Sequence, residues 1–319
     1  MANRPQAESH VSVVLQAPAE PEQARPLAEH RAKWVFFRLP SLMATLQYFL
    51  PKKFLTALAG RFARAQMGAL TTSAIERFIR HYGVNMAEAA NPDPASYASF
   101  NDFFTRPLAP GARPLSDAHF LCPVDGAISQ FGPIADDQIF QAKGHHYSTQ
   151  VLVGGDADLA EKFADGAFAT LYLSPKDYHR IHMPCDGTLR QMIYVPGDLF
   201  SVNPATARSV PGLFARNERV VCVFDGADGP FVLVLVGATI VGSMATVWHG
   251  VVNPPRLPDR KRWDYADGAV ALKRGDEMGR FLLGSTVVML WPKGTIAFNP
   301  AWQPAGVIRM GEAMGLRAG

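Results

Sequence analysis

The spacing of apolar residues changes twice along the chain. Residues 1–30 show no apolar period and are broken by Pro5, Pro18, Pro21 and Pro26, which predicts a disordered tail. From Trp34 large apolar side chains crowd together through Phe36, Phe37, Leu39, Leu42, Met43, Leu46, Tyr48 and Phe49, interrupted by Arg38 and Pro40. Pro51-Lys52-Lys53 then predicts the opening of a helix in which Phe54, Leu58 and Phe62 recur at i, i+4 and i+8. A further helix is expected from Ser73, with Glu76 closing a capping box, Ile75, Phe78, Ile79 and Tyr82 as its apolar face, and Gly83 as its stop.

From about Pro107 the period shortens to that of strands. Val-rich or alternating runs cover Ala167–Leu173, Thr188–Val195, Arg219–Phe224, Phe231–Val241 and Thr286–Leu290. Turn signals separate them: Val124-Asp125-Gly126, Asp186-Gly187 and Ala227-Asp228-Gly229-Pro230. The expected class is α+β, with a tail over 1–30, a helical segment over 31–106 and a β-rich barrel or sandwich-like domain over 107–319. No dinucleotide-binding G-x-G-x-x-G follows a strand, and there is no Walker loop.

Composition sharpens this picture. Of 319 residues, 48% are hydrophobic and only 18% charged, which excludes general disorder and implies apolar surface facing something other than water. A net charge of +3 is too small for a nucleic-acid protein. The charge is nevertheless concentrated, with nine Lys or Arg and one acid, Glu76, between Arg31 and His81. Basic helices bearing large aromatic residues predict a segment that lies on an anionic phospholipid surface, against the competing reading of an ordinary buried helical layer. No run of about 18 apolar residues is present to span a bilayer. Glu8, Glu20, Glu22 and Glu29 argue against a transit peptide, and Val11–Leu15 is too brief for a signal core. Three scattered cysteines, Cys122, Cys185 and Cys222, fit a reducing compartment. The expected location is peripheral, on the cytoplasmic side of the cell membrane.

Three segments carry residues able to do chemistry. Asp125 sits in a tight turn, where it can simply bond its own backbone. His179 and His182 lie three apart between Pro175 and Pro184, and imidazole titrates near neutrality. If the backbone there is turned, both rings can reach one site; if it is extended, they point to opposite faces. No Cys or second H-x-x-H completes a zinc set, so no metal is expected. Gly284-Ser285 interrupts an apolar run, where the Ser285 hydroxyl can attack the Gly284 carbonyl if a base removes its proton. A serine hydrolase using Asp125, His182 and Ser285 is an alternative, although Ser285 lacks a G-x-S-x-G elbow. A non-catalytic lipid-binding module is another.

The ordered set of motifs resembles bacterial phosphatidylserine decarboxylases. It comprises Leu283-Gly284-Ser285-Thr286, the Asp125 turn, Tyr178-His179-Arg180-Ile181-His182, and Phe100 through Leu108. It continues with Gly197-Asp198-Leu199-Phe200-Ser201-Val202-Asn203, Leu213 through Val220, Val236-Gly237-Ala238-Thr239 and Val241-Gly242-Ser243. The likeness spans roughly residues 31–319. It implies self-cleavage between Gly284 and Ser285, with Asp125, His182 and Ser285 as a charge relay. The products are a β chain, 1–284, and an α chain, 285–319, which remain partners. It further implies a covalent pyruvoyl cofactor made from Ser285, which forms a Schiff base with phosphatidylserine and yields phosphatidylethanolamine, His179 assisting this second reaction. A homodimer is a further possible assembly, and no nucleic-acid partner is expected.

Ser285→Ala removes the only hydroxyl next to the Gly284 carbonyl on its C-terminal side. We expect an uncleaved, inactive chain, read by intact mass; a normal small fragment from that variant would contradict the cleavage site.

Overall fold

The computed structural model describes residues 44–240, 243–254, 256–284 and 286–319. The expected tail, the Trp34–Met43 run and Ser285 lie outside the described residues.

The expected strands are present, with ends shifted by a few residues: Ala167–Tyr172, Gly187–Val195, Arg219–Gly226, Gly229–Val236 and Thr286–Trp291. They form the heart of one antiparallel sheet. Its order is Lys261–Asp264, Gly187–Val195, Arg219–Gly226, Gly229–Val236, Thr286–Trp291, Ala167–Tyr172, Gly126–Pro133 and Val307–Ile308, with Ala271–Leu272 also pairing the second of these. Ala227-Asp228 makes the two-residue turn of the central hairpin, with Gly226 paired to Gly229 and Gly229 at φ 105°. The path of strands is open at both ends, so the expected barrel does not close.

The central strands are unbroken apolar runs because both faces of this sheet are buried. Leu171, Leu189, Cys222, Leu233, Val287, Met289 and Trp291 face one core, shared with Ile181, Met183, Met244, Met278 and Phe281 of smaller sheets. Phe168, Val221, Val232, Val234, Val288 and Leu290 face a second core, covered by short helical segments through Leu152, Leu159, Leu213 and Phe214. A strand wrapped on both sides loses its polar alternation, whatever the direction of pairing.

A four-stranded sheet, ordered Gly250–Asn253, Met244–Thr246, Glu277–Phe281, Arg180–His182, lies on the first core. Two of the connections between it and the large sheet matter most: residues 173–179, leading from Ala167–Tyr172 to Arg180–His182, and residues 282–285, leading from Glu277–Phe281 to Thr286–Trp291. Register fixes them beside one another, since Thr286 pairs with Tyr172 at one end and Arg280 with Arg180 at the other.

The helices differ from expectation in an instructive way. One spans Lys52–Arg64, as expected. The next spans Ala69–Tyr82, so Ser73 lies inside it and the expected Ser73–Glu76 capping box is not its start; Thr71 Oγ1 instead accepts the Met67 N–H at 3.1 Å. Its stop is as expected, with Gly83 left-handed at φ 67°. A capping box does form one helix later, where Ser99 and Asp102 open Phe100–Phe104. The apolar stripe of Lys52–Arg64 faces away from the protein: Phe54 is 67% exposed, Leu58 57% and Phe62 51%. Its inward face is small, with Thr56 and Ala63 buried and Thr56 Oγ1 accepting the Ile240 N–H at 3.0 Å. An ordinary buried layer is therefore not what this helix forms. On Ala69–Tyr82 only Ile75 enters the small core with Phe103 and Phe104 completely, Phe78 and Ile79 packing at its edge. No described helix is long and apolar enough to cross a membrane.

Phe54→Ser should change stability by less than about 0.5 kcal/mol, while Ile75→Ala should cost about 2–5 kcal/mol. Urea unfolding of the two variants followed by circular dichroism compares them directly.

Candidate active site

The paired connections bring His179 against Gly284. Phe281 N–H donates to His179 O at 3.0 Å, anchoring the two segments just before they diverge. The His179 ring turns inward and is fully buried. Its Nδ1 lies 2.8 Å from Asp177 O, which defines Nδ1 as the protonated nitrogen and leaves Nε2 as a lone pair. That Nε2 has no hydrogen-bond partner. A Cβ on Gly284 would sit 2.9 Å from it, so the glycine is what lets the imidazole approach this backbone. The Phe104 ring covers the imidazole with centroids 4.0 Å apart. Burial, with Arg106 adding repulsion, pushes the His179 pKa down to about 3, so the ring is held neutral.

Gly284 also opens onto a cavity of about 520 Å³. Leu173, Leu283, Phe100 and Phe104 line it near Gly284, and Phe62 and Tyr82 bring the two outer helices to its wall.

His182 lies elsewhere. Arg180–His182 is extended and pairs with Glu277–Phe281, His182 standing opposite Glu277 at the end remote from Gly284. The extended alternative is the one adopted, and the two histidines face different neighbours. His182 Nδ1 is 2.7 Å from Gly275 O, and Nε2 is 3.0 Å from the Tyr178 hydroxyl. Burial lowers its pKa, and the bond to Gly275 O works against that shift.

Asp125 is not simply a turn aspartate. Arg113 Nε donates to its two carboxylate oxygens at 3.0 and 3.2 Å, and Met310 N–H donates to Oδ1 at 2.8 Å. Arg113 also binds Glu88 at 2.6 Å, and Arg309 binds Glu88 at 3.2 Å. The Asp125–His182 hydrogen bond expected of a relay is thus not formed: an arginine holds the carboxylate and a carbonyl holds the imidazole. The two segments still touch, since His182 N–H donates to Pro123 O at 2.8 Å. Gly126, next in the turn, must be glycine because a Cβ there would collide with Tyr172 O.

Sequence reasoning gave no role to Arg113, Glu88, Tyr178 or Arg106. Arg106 lay within a quoted motif, whereas Arg113 and Glu88 carry no local signal and become visible only through their long-range pairing.

These features define a class: a β-sheet protein in which a buried neutral imidazole lies against a backbone glycine on a connection between two sheets. A family model described as phosphatidylserine decarboxylase matches residues 100–316, and one described as PSD matches residues 42–83. A protein of Dechloromonas aromatica named phosphatidylserine decarboxylase proenzyme is 70% identical over 272 residues, covering 85% of this chain and 96% of that one. Proteins of the same name from Albidiferax ferrireducens and Verminephrobacter eiseniae are 72% and 66% identical over 268 and 283 residues, covering 84% and 88% of this chain and 94% and 99% of theirs. The chain belongs to the phosphatidylserine decarboxylase family. Neither the serine hydrolase nor the non-catalytic lipid-binding reading finds support in these relatives.

A histidine kept neutral by burial titrates in the unfolded chain first. With its folded pKa near 3 against an ordinary 6.5, His179 contributes stability that is complete above about pH 6.5 and is lost as pH falls toward 3. The loss approaches about 1.4 kcal/mol per pH unit for one proton. In the uncleaved Ser285→Ala background, His179→Gln should flatten the decline in urea midpoint between pH 6.5 and 5; an unchanged slope would show that the ring takes up its proton in the fold as it does in the unfolded chain.

Proposed function

We propose that this chain is the proenzyme of a phosphatidylserine decarboxylase that cuts itself between Gly284 and Ser285 and then converts phosphatidylserine to phosphatidylethanolamine. The observation that carries this reading is the unpartnered His179 Nε2 beside Gly284, at the mouth of an apolar cavity, in a chain 70% identical to a proenzyme of that name.

Self-cleavage begins with the Ser285 hydroxyl oxygen adding to the Gly284 carbonyl carbon as a base takes its proton. The peptide C–N bond then breaks, the nitrogen gains a proton, and an ester joins Gly284 to Ser285 Oγ. Removal of the Ser285 Cα proton expels the Gly284 carboxylate, leaving a dehydroalanine that water converts to a pyruvoyl end and ammonia. Asp125 and His182 are assigned to this step on the strength of the family resemblance. Their use requires the Asp125 carboxylate to exchange Arg113 for the imidazole, or to act through it, and the Pro123–His182 backbone bond keeps the two within reach. A second reading is favoured by the free Nε2 at Gly284: His179 itself is the base for cleavage.

Residue 285 follows the glycine that His179 Nε2 approaches, so the residues present suit a pyruvoyl group at that end. That group supplies a ketone able to condense with an amine and to draw in electrons as CO₂ leaves. The protein's own contribution is a neutral imidazole poised to move a proton and an apolar lining of Leu173, Leu283, Phe100 and Phe104 that excludes water. Cleavage does not free the 35-residue α chain. Its first strand, Thr286–Trp291, is bonded on both sides, to Gly229–Val236 and Ala167–Tyr172, so the two chains remain one fold.

The outward stripe of Phe54, Leu58 and Phe62, with exposed Lys53, Arg61 and Arg64 on the same helix, suits a cytoplasmic, anionic bilayer surface. Phe62 belongs both to this stripe and to the cavity wall, which would place the cavity at headgroup level.

Cleavage and turnover measured separately decide the assignments. His182→Ala and Asp125→Asn should slow cleavage. His179→Ala should cleave normally and then turn over phosphatidylserine about 10²-fold more slowly. Blocked cleavage in His179→Ala alone would move the base to His179. For the surface, Phe54→Ser combined with Leu58→Ser should lower binding to phosphatidylglycerol-containing vesicles by about tenfold or more; unchanged binding would remove the helix from the membrane contact.

A further inference from the structure

Arg106 is 4% exposed, and no Asp or Glu among the described residues forms an ion pair with it. Its Nη2 donates to Lys176 O at 3.2 Å, its guanidinium lies 5.3 Å from the centre of the Phe103 ring, and its Nε has no partner. Taking a guanidinium out of water costs several kcal/mol unless charge or a full set of hydrogen bonds compensates. The buried Arg219 shows how the same chain compensates elsewhere: its Nε, Nη1 and Nη2 donate to the carbonyls of Leu152, Asn217 and Val151. Arg113 is filled by Asp125 and Glu88, and Arg180 by Glu277 and Thr105 O. Arg106 alone of these four keeps donors in reserve.

Arg106 lines a cavity of about 410 Å³, together with Lys176, Arg309, Ser174 and Asp177 among others. Asp125 and Glu88 also face it, paired with Arg113 and Arg309, while Asp177 accepts the Ser174 N–H. Tyr172 lines this cavity and the apolar one at Gly284 alike. Arg106 and His179 are held by successive carbonyls, Lys176 O and Asp177 O, so the guanidinium and the imidazole hang from one short stretch of backbone.

We propose that Arg106 binds the phosphodiester of the substrate headgroup. This rests on the reading of the substrate as phosphatidylserine. That headgroup offers two anions, and the reaction distinguishes them. The carboxylate leaves as CO₂, so a guanidinium upon it would stabilise the charged ground state and lose that contact in the transition state. The phosphodiester keeps its charge throughout, and binding it costs the chemistry nothing. One methylene and one ester oxygen separate it from the reacting carbon, which suits an arginine and a histidine bonded to neighbouring carbonyls of one loop. The carboxylate is then left to the apolar lining at Gly284, where an unpaired charge is readily given up.

The test uses the full-length, self-cleaved protein in detergent mixed micelles. Dihexanoyl phosphatidylglycerol supplies a phosphodiester without amine or carboxylate; O-lauroylserine supplies amine and carboxylate without phosphate. For Arg106→Gln we expect normal cleavage, KM for phosphatidylserine raised about tenfold or more, and kcat within about twofold, as for loss of a charge-assisted bond made equally in ground and transition states. Inhibition by the phosphatidylglycerol should weaken by a similar factor while inhibition by O-lauroylserine stays unchanged, and Arg106→Lys should recover part of the loss. Weakened O-lauroylserine inhibition with unchanged phosphatidylglycerol inhibition would assign Arg106 to the carboxylate and overturn the proposal. Failure of both variants to fold or cleave would make Arg106 structural and overturn it equally. The wild type provides an arm free of variants: phosphatidylglycerol must inhibit about tenfold more strongly than dihexanoylglycerol, and equal inhibition removes the phosphate site. A wild type that fails to decarboxylate phosphatidylserine refutes the functional reading itself, an outcome separate from all of these.

Discussion

The site depends on a register. Thr286 pairs with Tyr172 in the large sheet, Arg280 pairs with Arg180 in the smaller one, and the chain must cross between sheets twice in the space between those pairs. One crossing carries Gly284 and the other carries His179. A shift by one residue would turn every side chain of a strand to the opposite face, so the different packing of the two cores holds this register. The glycine's missing side chain then decides how near the imidazole comes.

Burial sets the chemistry of the groups so placed. His179 is dry and capped by Phe104, so it stays neutral and keeps a lone pair where the backbone can be attacked or a proton moved. Asp125 experiences the reverse condition. Arg113 Nε and Nη2 and the Met310 amide donate to its carboxylate and fix it in place. Through Arg113 and Arg309 the same carboxylate network reaches Glu88, so it ties the segment after the second helix to the turn at Asp125 and to the C-terminal Val307–Ile308 region.

The helices invert the usual amphipathic rule. Lys52–Arg64 gives its small residues to the protein and its aromatic stripe to the outside. A water-facing stripe of that kind is costly, and its continuation into the cavity wall at Phe62 links the outer surface to the site by a single side chain.

By itself the sequence determined the strands, the hairpin at Ala227-Asp228, the stop at Gly83 and the family. Strand period and turn chemistry are local, and the family rests on strings of residues that need no coordinates. It also marked Asp125, His179, His182, Gly284 and Ser285 as the residues able to react. Tertiary structure alone decided which histidine meets Gly284, that Arg113 holds Asp125, that the large sheet stays open, and which way the helical stripe faces. Each of these is set by pairing between residues far apart in the chain. Two histidines three positions apart look alike in sequence, and only the placement of the connection and of the strand that follows it separates them. A helical period reveals that an apolar face exists, but whether the protein or something outside it covers that face depends on what the rest of the chain has already buried.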